Sequence, residues 1–234
     1  MKTPRLVLLP GMDGTGDLFD SIQSALIGDI ETLVISYPVD QALSYSELTE
    51  YVRARLPTDG QFVLLGESFS GPIATNVAGS PPPNMVGLIL CATFVRSPHA
   101  TPFPVNQTLL QIGLKLSRGF FVWKMLLGNF HSRALQQQIQ AAVDKVSTSV
   151  LAARVIDMTS VDASAGLRAT TMPILYLRAS SDWLVPSSAS TYIAKTNPTV
   201  QMVDVVGPHF LLQSKPVECA ERIIEFCKGL RCAS

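Results

Sequence analysis

Hydrophobic residues along this chain gather into short continuous runs, separated by longer stretches in which they recur every three or four positions. The runs cover residues 5–9, 32–36, 62–65, 86–91, 174–178 and 200–205. A strand with one wet face alternates apolar and polar residues, whereas a run apolar throughout suits a parallel strand covered on both faces. Between the second and third runs the pattern predicts a helix. Ser44 is its N-cap, Glu47 completes a capping box, Leu48, Tyr51, Val52 and Leu56 share one face, and Pro57 follows its end. A last helix starts near Pro216 and carries Val217, Ala220, Ile223, Ile224 and Cys227 on its inner stripe. Short buried strands alternating with amphipathic helices predict an α/β fold, a mostly parallel doubly wound sheet of about six strands.

One stretch breaks the alternation. From Arg96 to about Met172 no strand is predicted, and two helical blocks, 105–127 and 132–158, take its place. A helical insertion between two strands of such a sheet reads as a cap over an active site. The expected organisation is therefore a core of residues 1–96 and 173–234 with a helical cap over 97–172. Composition agrees with a large buried core. Hydrophobic residues make up 47% of the 234 positions and charged residues only 15%, against about 25% charged in ordinary soluble domains. Such a chain is not disordered. With 18 basic against 18 acidic residues, there is no charge excess to exchange for the counterions of a nucleic acid. The longest nearly unbroken apolar run, 85–95, is about half of the roughly 20 residues that span a bilayer, so an integral membrane protein is not expected. Residues 1–9 resemble a signal peptide only superficially and read as a first strand. Cys91, Cys219, Cys227 and Cys232 contain no CxxC pair, and Cys219 and Cys227 lie two helical turns apart, too far for a disulfide. Reduced thiols in a cytoplasm are the expectation, and no metal or cofactor is called for.

The chemistry concentrates at three strand ends. In Gly66-Glu67-Ser68-Phe69-Ser70-Gly71 an apolar strand turns into a small-residue helix with Ser68 at the turn. This resembles the nucleophile elbow of α/β-hydrolases, G-x-S-x-G, with Ser70 in place of the second glycine and the glycine displaced to Gly71. A nucleophilic serine needs a base, and the base an orienting acid. Of the three histidines, His99 opens the insertion and His131 lies between its helical blocks, while His209 follows the last strand. Asp182 follows the strand before it, so the order Ser…Asp…His agrees with the resemblance. Asp204, inside a strand and close to His209, is the weaker candidate acid. After the first strand comes Leu8-Leu9-Pro10-Gly11-Met12-Asp13-Gly14-Thr15-Gly16. There Gly11 allows a bend that turns the Met12 N–H toward the site, with the Phe69 N–H as second oxyanion donor. Such donors lower the barrier by on the order of 3 kcal/mol each. The glycine spacing is not that of a dinucleotide or phosphate loop. Asp13, Thr15 and Asp17 are expected to bond within the loop.

Over nearly its full length the chain resembles the α/β-hydrolase superfamily. The segments from Leu8 to Gly16 and from Gly207 to Leu212 are similar to small bacterial esterase-like hydrolases and to the hydrolase-like portion of plastid phytyl ester synthases. The resemblance implies a core lacking the N-terminal antiparallel strands, and ester or thioester hydrolysis through an acyl-enzyme without metal or cofactor. The expected catalytic set is Ser68, Asp182 and His209, with Met12 and Phe69 supplying the oxyanion hole.

The substrate is less defined. The side chains of Met12, Phe69, Trp183 and Phe210, with Phe120 and Trp123 of the cap, are expected near an acyl group, and a small ester of short to medium chain is the default. Residues 97–160 carry Lys115, Arg118, Lys124, Arg133, Lys145 and Arg154 against only Asp144 and Asp157. A basic cap of this kind raises the alternative of a thioesterase or esterase acting on groups held by an acidic acyl-carrier partner. Acyl transfer to an alcohol and a ligand receptor with little turnover are the remaining alternatives.

Overall fold

The computed structural model describes residues 3–98, 127, 130 and 132–230. Each apolar run forms a strand: β1 (Arg5–Leu9), β2 (Thr32–Val34), β3 (Phe62–Glu67), β4 (Met85–Cys91), β5 (Ile174–Ala179) and β6 (Gln201–Val205). They form one sheet in the order β2-β1-β3-β4-β5-β6, and every neighbouring pair is parallel. Strand β1 lies inside the sheet, and from it the connection steps outward to β2, then crosses back to β3 and continues to β6. The direction of winding therefore reverses between β1 and β3. In open α/β sheets the carboxyl ends of strands at such a reversal form the ligand crevice. Leu9, the last residue of β1, pairs with Gly66 near the end of β3, so the loops leaving the two strands start side by side.

The described helices are α1 (Asp20–Leu26), α2 (Tyr45–Arg53), α3 (Gly71–Gly79), α4 (Arg133–Asp144), α5 (Thr148–Met158), α6 (Ser164–Ala169), α7 (Ser187–Thr196), α8 (Leu211–Ser214) and α9 (Pro216–Leu230). Alternate strand residues feed two separate cores. Val7, Leu9, Leu64, Leu90 and Tyr176 face α2, α3, α6 and α7. Leu6, Leu8, Val63, Leu65 and Leu177 face α1 and α9. That double covering explains why the central strands carry no polar alternation. The edge strand β6 departs from this, with Gln201 and Asp204 exposed. Asp204 accepts two hydrogen bonds from Arg178 of β5, at 2.5 and 2.6 Å.

Helix α2 starts on the capping box read from the sequence. The Glu47 N–H donates to Ser44 Oγ at 3.3 Å, and the Ser44 N–H donates to Glu47 Oε2 at 2.8 Å. The block at 132–158 is two helices rather than one. Ser132 and Ser147 each cap a start, accepting from the N–H of Leu135 and Val150. Helix α4 buries Leu135, Ile139 and Ala142 against Leu18, and α5 buries Val150 and Leu151 beside Met12. Helix α6 was not expected. It lies within 97–172 but packs on α3, where the Cβ of any residue at Gly79 would meet the Gly166 backbone at 2.6 Å. Among the described residues of 97–172, the helices over the sheet's carboxyl end are thus α4 and α5. Residues 95–97 and 161–163 run side by side, with Ala163 N–H donating to Val95 O at 2.7 Å and Ser97 N–H to Val161 O at 2.9 Å. Cys91, Cys219 and Cys227 are buried and form no disulfide among the described residues, and Cys232 lies outside the described residues. No helix among the described residues is long and apolar enough to cross a membrane.

Candidate active site

Ser68 follows β3 directly, in a short 3-10 turn that leads into α3. Its φ of 49° lies in the left-handed region, a conformation that costs a side-chain-bearing residue energy and survives only where its surroundings fix it. Those surroundings are visible. Thr93 Oγ1 donates a short hydrogen bond to the Ser68 carbonyl, and Thr93 O in turn accepts from the buried Tyr176 hydroxyl at 2.7 Å. Strand and helix also approach closely. A Cβ on Gly66 would lie 2.7 Å from Ser70 O and 2.8 Å from Ala74 Cβ, so only glycine fits there.

Three of the residues expected from sequence come together. Ser68 Oγ lies 2.8 Å from His209 Nε2, and His209 Nδ1 lies 2.8 Å from Asp182 Oδ2. A carboxylate can only accept, so Nδ1 carries the proton and Nε2 accepts from the serine hydroxyl. The imidazole and the carboxylate side chains are each about 6% exposed. The other Asp182 oxygen, Oδ1, accepts from the N–H groups of Leu184 and Val185 at 2.8 and 2.9 Å. The loop after β5 therefore fixes the acid, the acid fixes the ring, and the ring faces Ser68. His99 and His131 lie outside the described residues, as do Phe120 and Trp123.

The loop after β1 reaches the same point. Gly14 N–H donates to Gly11 O at 3.0 Å, closing a tight turn over Gly11-Met12-Asp13-Gly14. Because a trans peptide directs its C=O and N–H oppositely, the Met12 N–H points out of this turn. Inside the loop, Asp13 Oδ2 accepts from the Thr15 N–H at 2.9 Å and the Thr15 hydroxyl at 2.6 Å, as expected. The Asp17 N–H donates to Thr15 Oγ1 at 3.2 Å, but its carboxylate accepts from Lys145 Nζ, just after α4, at 2.6 Å.

A cavity of about 340 Å³ opens over Ser68 and His209. Its wall is nearly all hydrocarbon, with Leu18, Ile139, Val143, Leu151, Val155 and Phe210 among the lining residues. Met12 and Phe210, expected near an acyl group, both line this cavity. The Phe69 side chain does not: it is fully buried and stacks on Tyr45, ring centroids 4.7 Å apart, because the turn after Ser68 aims it into the sheet core. Trp183 is also displaced. It is 72% exposed, and its neighbours Leu184 and Val185 line the cavity instead, since bonding of both their N–H groups to Asp182 turns them inward and Trp183 outward.

Several residues at the site are not signalled by any local pattern. Ser70, fully buried, donates a short hydrogen bond to Pro10 O and lies 2.6 Å from the Tyr37 hydroxyl. A hydroxyl has one proton, so Tyr37 is the donor of the second bond. Glu67, beside the serine, is 5% exposed and lines the cavity. Burial pushes its carboxyl up to about 7, against the downward pull of the Gln213 amide at 3.1 Å. Arg154, expected as surface charge, is 2% exposed. Among the described residues no group of three His, Cys, Asp or Glu side chains could hold a metal ion.

A doubly wound parallel sheet with a serine on a strained strand–helix turn at the carboxyl end of its third strand is the architecture of an α/β-hydrolase. More specifically, the chain belongs to the hydrolase family described as serine aminopeptidase, S33, which matches residues 42–206. It is 26% identical over 210 residues to the biotin biosynthesis bifunctional protein BioHC of Cellvibrio japonicus, covering 84% of this chain and 41% of that protein. The chain thus spans well under half the length of that relative. The fold is similar to a bromoperoxidase from Bacillus anthracis, with a TM-score of 0.81, 15% identity and coverage of 97% and 93% of the two chains. It is also similar to the esterase EaEST from Exiguobacterium antarcticum, with a TM-score of 0.79, 17% identity and coverage of 97% and 92%.

Proposed function

We propose that the protein is a serine hydrolase that cleaves carboxylic esters of short to medium acyl chain through an acyl-enzyme. The observation that carries this reading is the chain of 2.8 Å contacts from Ser68 to His209 to Asp182 at the floor of an apolar cavity. In this mechanism His209 Nε2 takes the hydroxyl proton as Ser68 Oγ attacks the acyl carbonyl. The Met12 and Phe69 N–H groups receive the negative charge that develops on the carbonyl oxygen. The protonated ring then gives its proton to the departing alcohol, leaving an ester of Ser68. Water, deprotonated by the same ring, attacks that ester and regenerates the serine. Asp182 holds the ring in the tautomer required and stabilises its cationic form. The cavity volume of about 340 Å³ falls at the low end of the roughly 300–1,000 Å³ typical of small-molecule sites, which suits a short or medium acyl group.

The test is a panel of p-nitrophenyl esters and acyl thioesters of increasing chain length, with Ser68→Ala as control. Turnover that peaks at short or medium esters and falls at least roughly 1000-fold in the control is expected. Hydrolysis equal in the two proteins overturns the reading.

A carrier-bound substrate is the second reading. Likeness to a biotin biosynthesis protein and the basic residues of the cap favour it. Against it, Arg154 is buried and Lys145, though exposed, is paired with Asp17, so of the set's described residues only Arg133 is both exposed and outside an ion pair. A preference for a carrier-bound over a free methyl ester that collapses in high salt would establish it.

A further inference from the structure

We infer that Arg154 is a positioning residue for the oxyanion hole, so that a helix of the cap sets the aim of the Met12 N–H. The inference rests on the ester-hydrolase reading above and extends it to a residue outside the catalytic set. Arg154 projects from α5 into the protein and gives its hydrogen bonds to three backbone carbonyls. One nitrogen of the guanidinium donates to Met12 O at 2.7 Å and to Asp13 O at 2.9 Å. The other terminal nitrogen donates to Pro38 O at 2.9 Å. None of these acceptors is a carboxylate, although a buried cation is ordinarily paired with one. The guanidinium is instead spread over carbonyl dipoles, with the Tyr37 and Phe69 rings 5.8 and 5.9 Å from its centre.

Two of the three carbonyls it holds belong to Met12 and Asp13, the residues at the centre of the turn that presents the Met12 N–H. Gly14 N–H to Gly11 O fixes one side of that turn. The two bonds from Arg154 fix the peptide planes on the other side, and so set the rotation about Met12. The fit is close, because a Cβ on Gly14 would lie 2.7 Å from the guanidinium. From the opposite side Ser70 bonds Pro10 O, so the loop is gripped by the nucleophile's turn at one end and by the cap at the other. The Met12 N–H itself has no hydrogen-bond partner among the described residues. A bare strut could be replaced by any side chain that fills its volume. A device that aims a donor must act on the transition state, where the donor meets full negative charge.

The experiment compares wild type, Arg154→Met, Arg154→Lys and Ser68→Ala. Active sites are counted by covalent titration of Ser68, so that misfolded protein is excluded from kcat. For Arg154→Met, kcat per titrated site on p-nitrophenyl butyrate falls roughly 10- to 100-fold while KM stays within about twofold, as expected for a misaimed transition-state donor. The affinity for a trifluoromethyl ketone, which forms an oxyanion on Ser68, falls by a similar factor. Arg154→Lys keeps the charge but only a single donor nitrogen, and lies between the two. If Arg154→Met does not fold, Arg154→Lys decides, with a loss of fivefold or more in kcat at constant KM. A kcat per site within twofold of wild type in the folded variants overturns the inference, even where thermal stability drops. Wild-type activity no greater than that of Ser68→Ala overturns the ester-hydrolase reading instead, so the two failures are distinguishable.

Discussion

Ser70 occupies the position where the G-x-S-x-G pattern has glycine, and its side chain has a use that glycine could not supply. It ties the turn that carries Ser68 to Pro10, one residue before the loop that presents the Met12 N–H, and it receives the Tyr37 hydroxyl. Burial pushes the Tyr37 phenol well above its ordinary range, so Tyr37 remains a neutral donor. Ser70→Ala leaves Pro10 O without this donor and the Tyr37 hydroxyl without its acceptor. The expected cost is about 1–3 kcal/mol of stability, with a loss of kcat because the loop loses one of its two grips. Urea denaturation and steady-state kinetics check both, and an unchanged midpoint would show that the bond is idle. In the sequence Ser70 registers only as a departure from a motif. Its partners lie 33 and 60 positions away, and no local pattern reports such contacts. Arg154 is hidden for a related reason. An arginine on a helix reads as solvated charge, and only the fold brings the carbonyls of Met12, Asp13 and Pro38 around it.

At the level of elements, strands and caps are legible because their signals are local. The apolar runs became strands within one or two residues, and the Ser44–Glu47 box starts α2 where its spacing indicates. Helix α6 is invisible by the same logic: it has six residues, no side-chain cap and a glycine at its centre, and it exists because Gly79 and Gly166 let it approach α3. Close approach also governs the junction of β3 and α3. Gly66→Ala forces the new methyl against the Ser70 backbone, and a loss of about 1–3 kcal/mol is expected, together with lower activity as Ser68 shifts. Thermal melts and ester turnover check this. Helix α5 supports a different expectation, since Leu151 lines the cavity over Ser68. Leu151→Trp fills acyl space, so kcat/KM for octanoate esters should fall at least roughly tenfold while acetate stays within about twofold. Equal losses for both esters would place Leu151 outside the acyl path.

For the molecule as a whole, the sheet that buries its strands on both faces also buries a carboxyl. Glu67 ends β3, the most enclosed strand, and faces Gln213, Asp13 and His209. Burial raises its pKa from 4.5 to about 7, with Asp13 adding to the rise while Gln213 and His209 oppose it. The consequence for stability runs opposite to that of a salt-bridged acid. Between the two values the native state holds a proton that the unfolded chain has released. Stability therefore falls as pH rises through this window, and the full penalty is present above the folded pKa. Below about 4.5 both states are protonated and the contribution vanishes. Glu67→Gln keeps the shape and an oxygen for the Gln213 amide but cannot ionise. Comparing it with wild type cancels the titration of every group that the substitution leaves undisturbed. The variant is expected to match wild type near pH 4.5 and to exceed it at pH 8 by on the order of 3 kcal/mol, read as a higher melting temperature. Melting curves of the two proteins that stay parallel from pH 4.5 to 8 would show that the folded state does not raise this carboxyl.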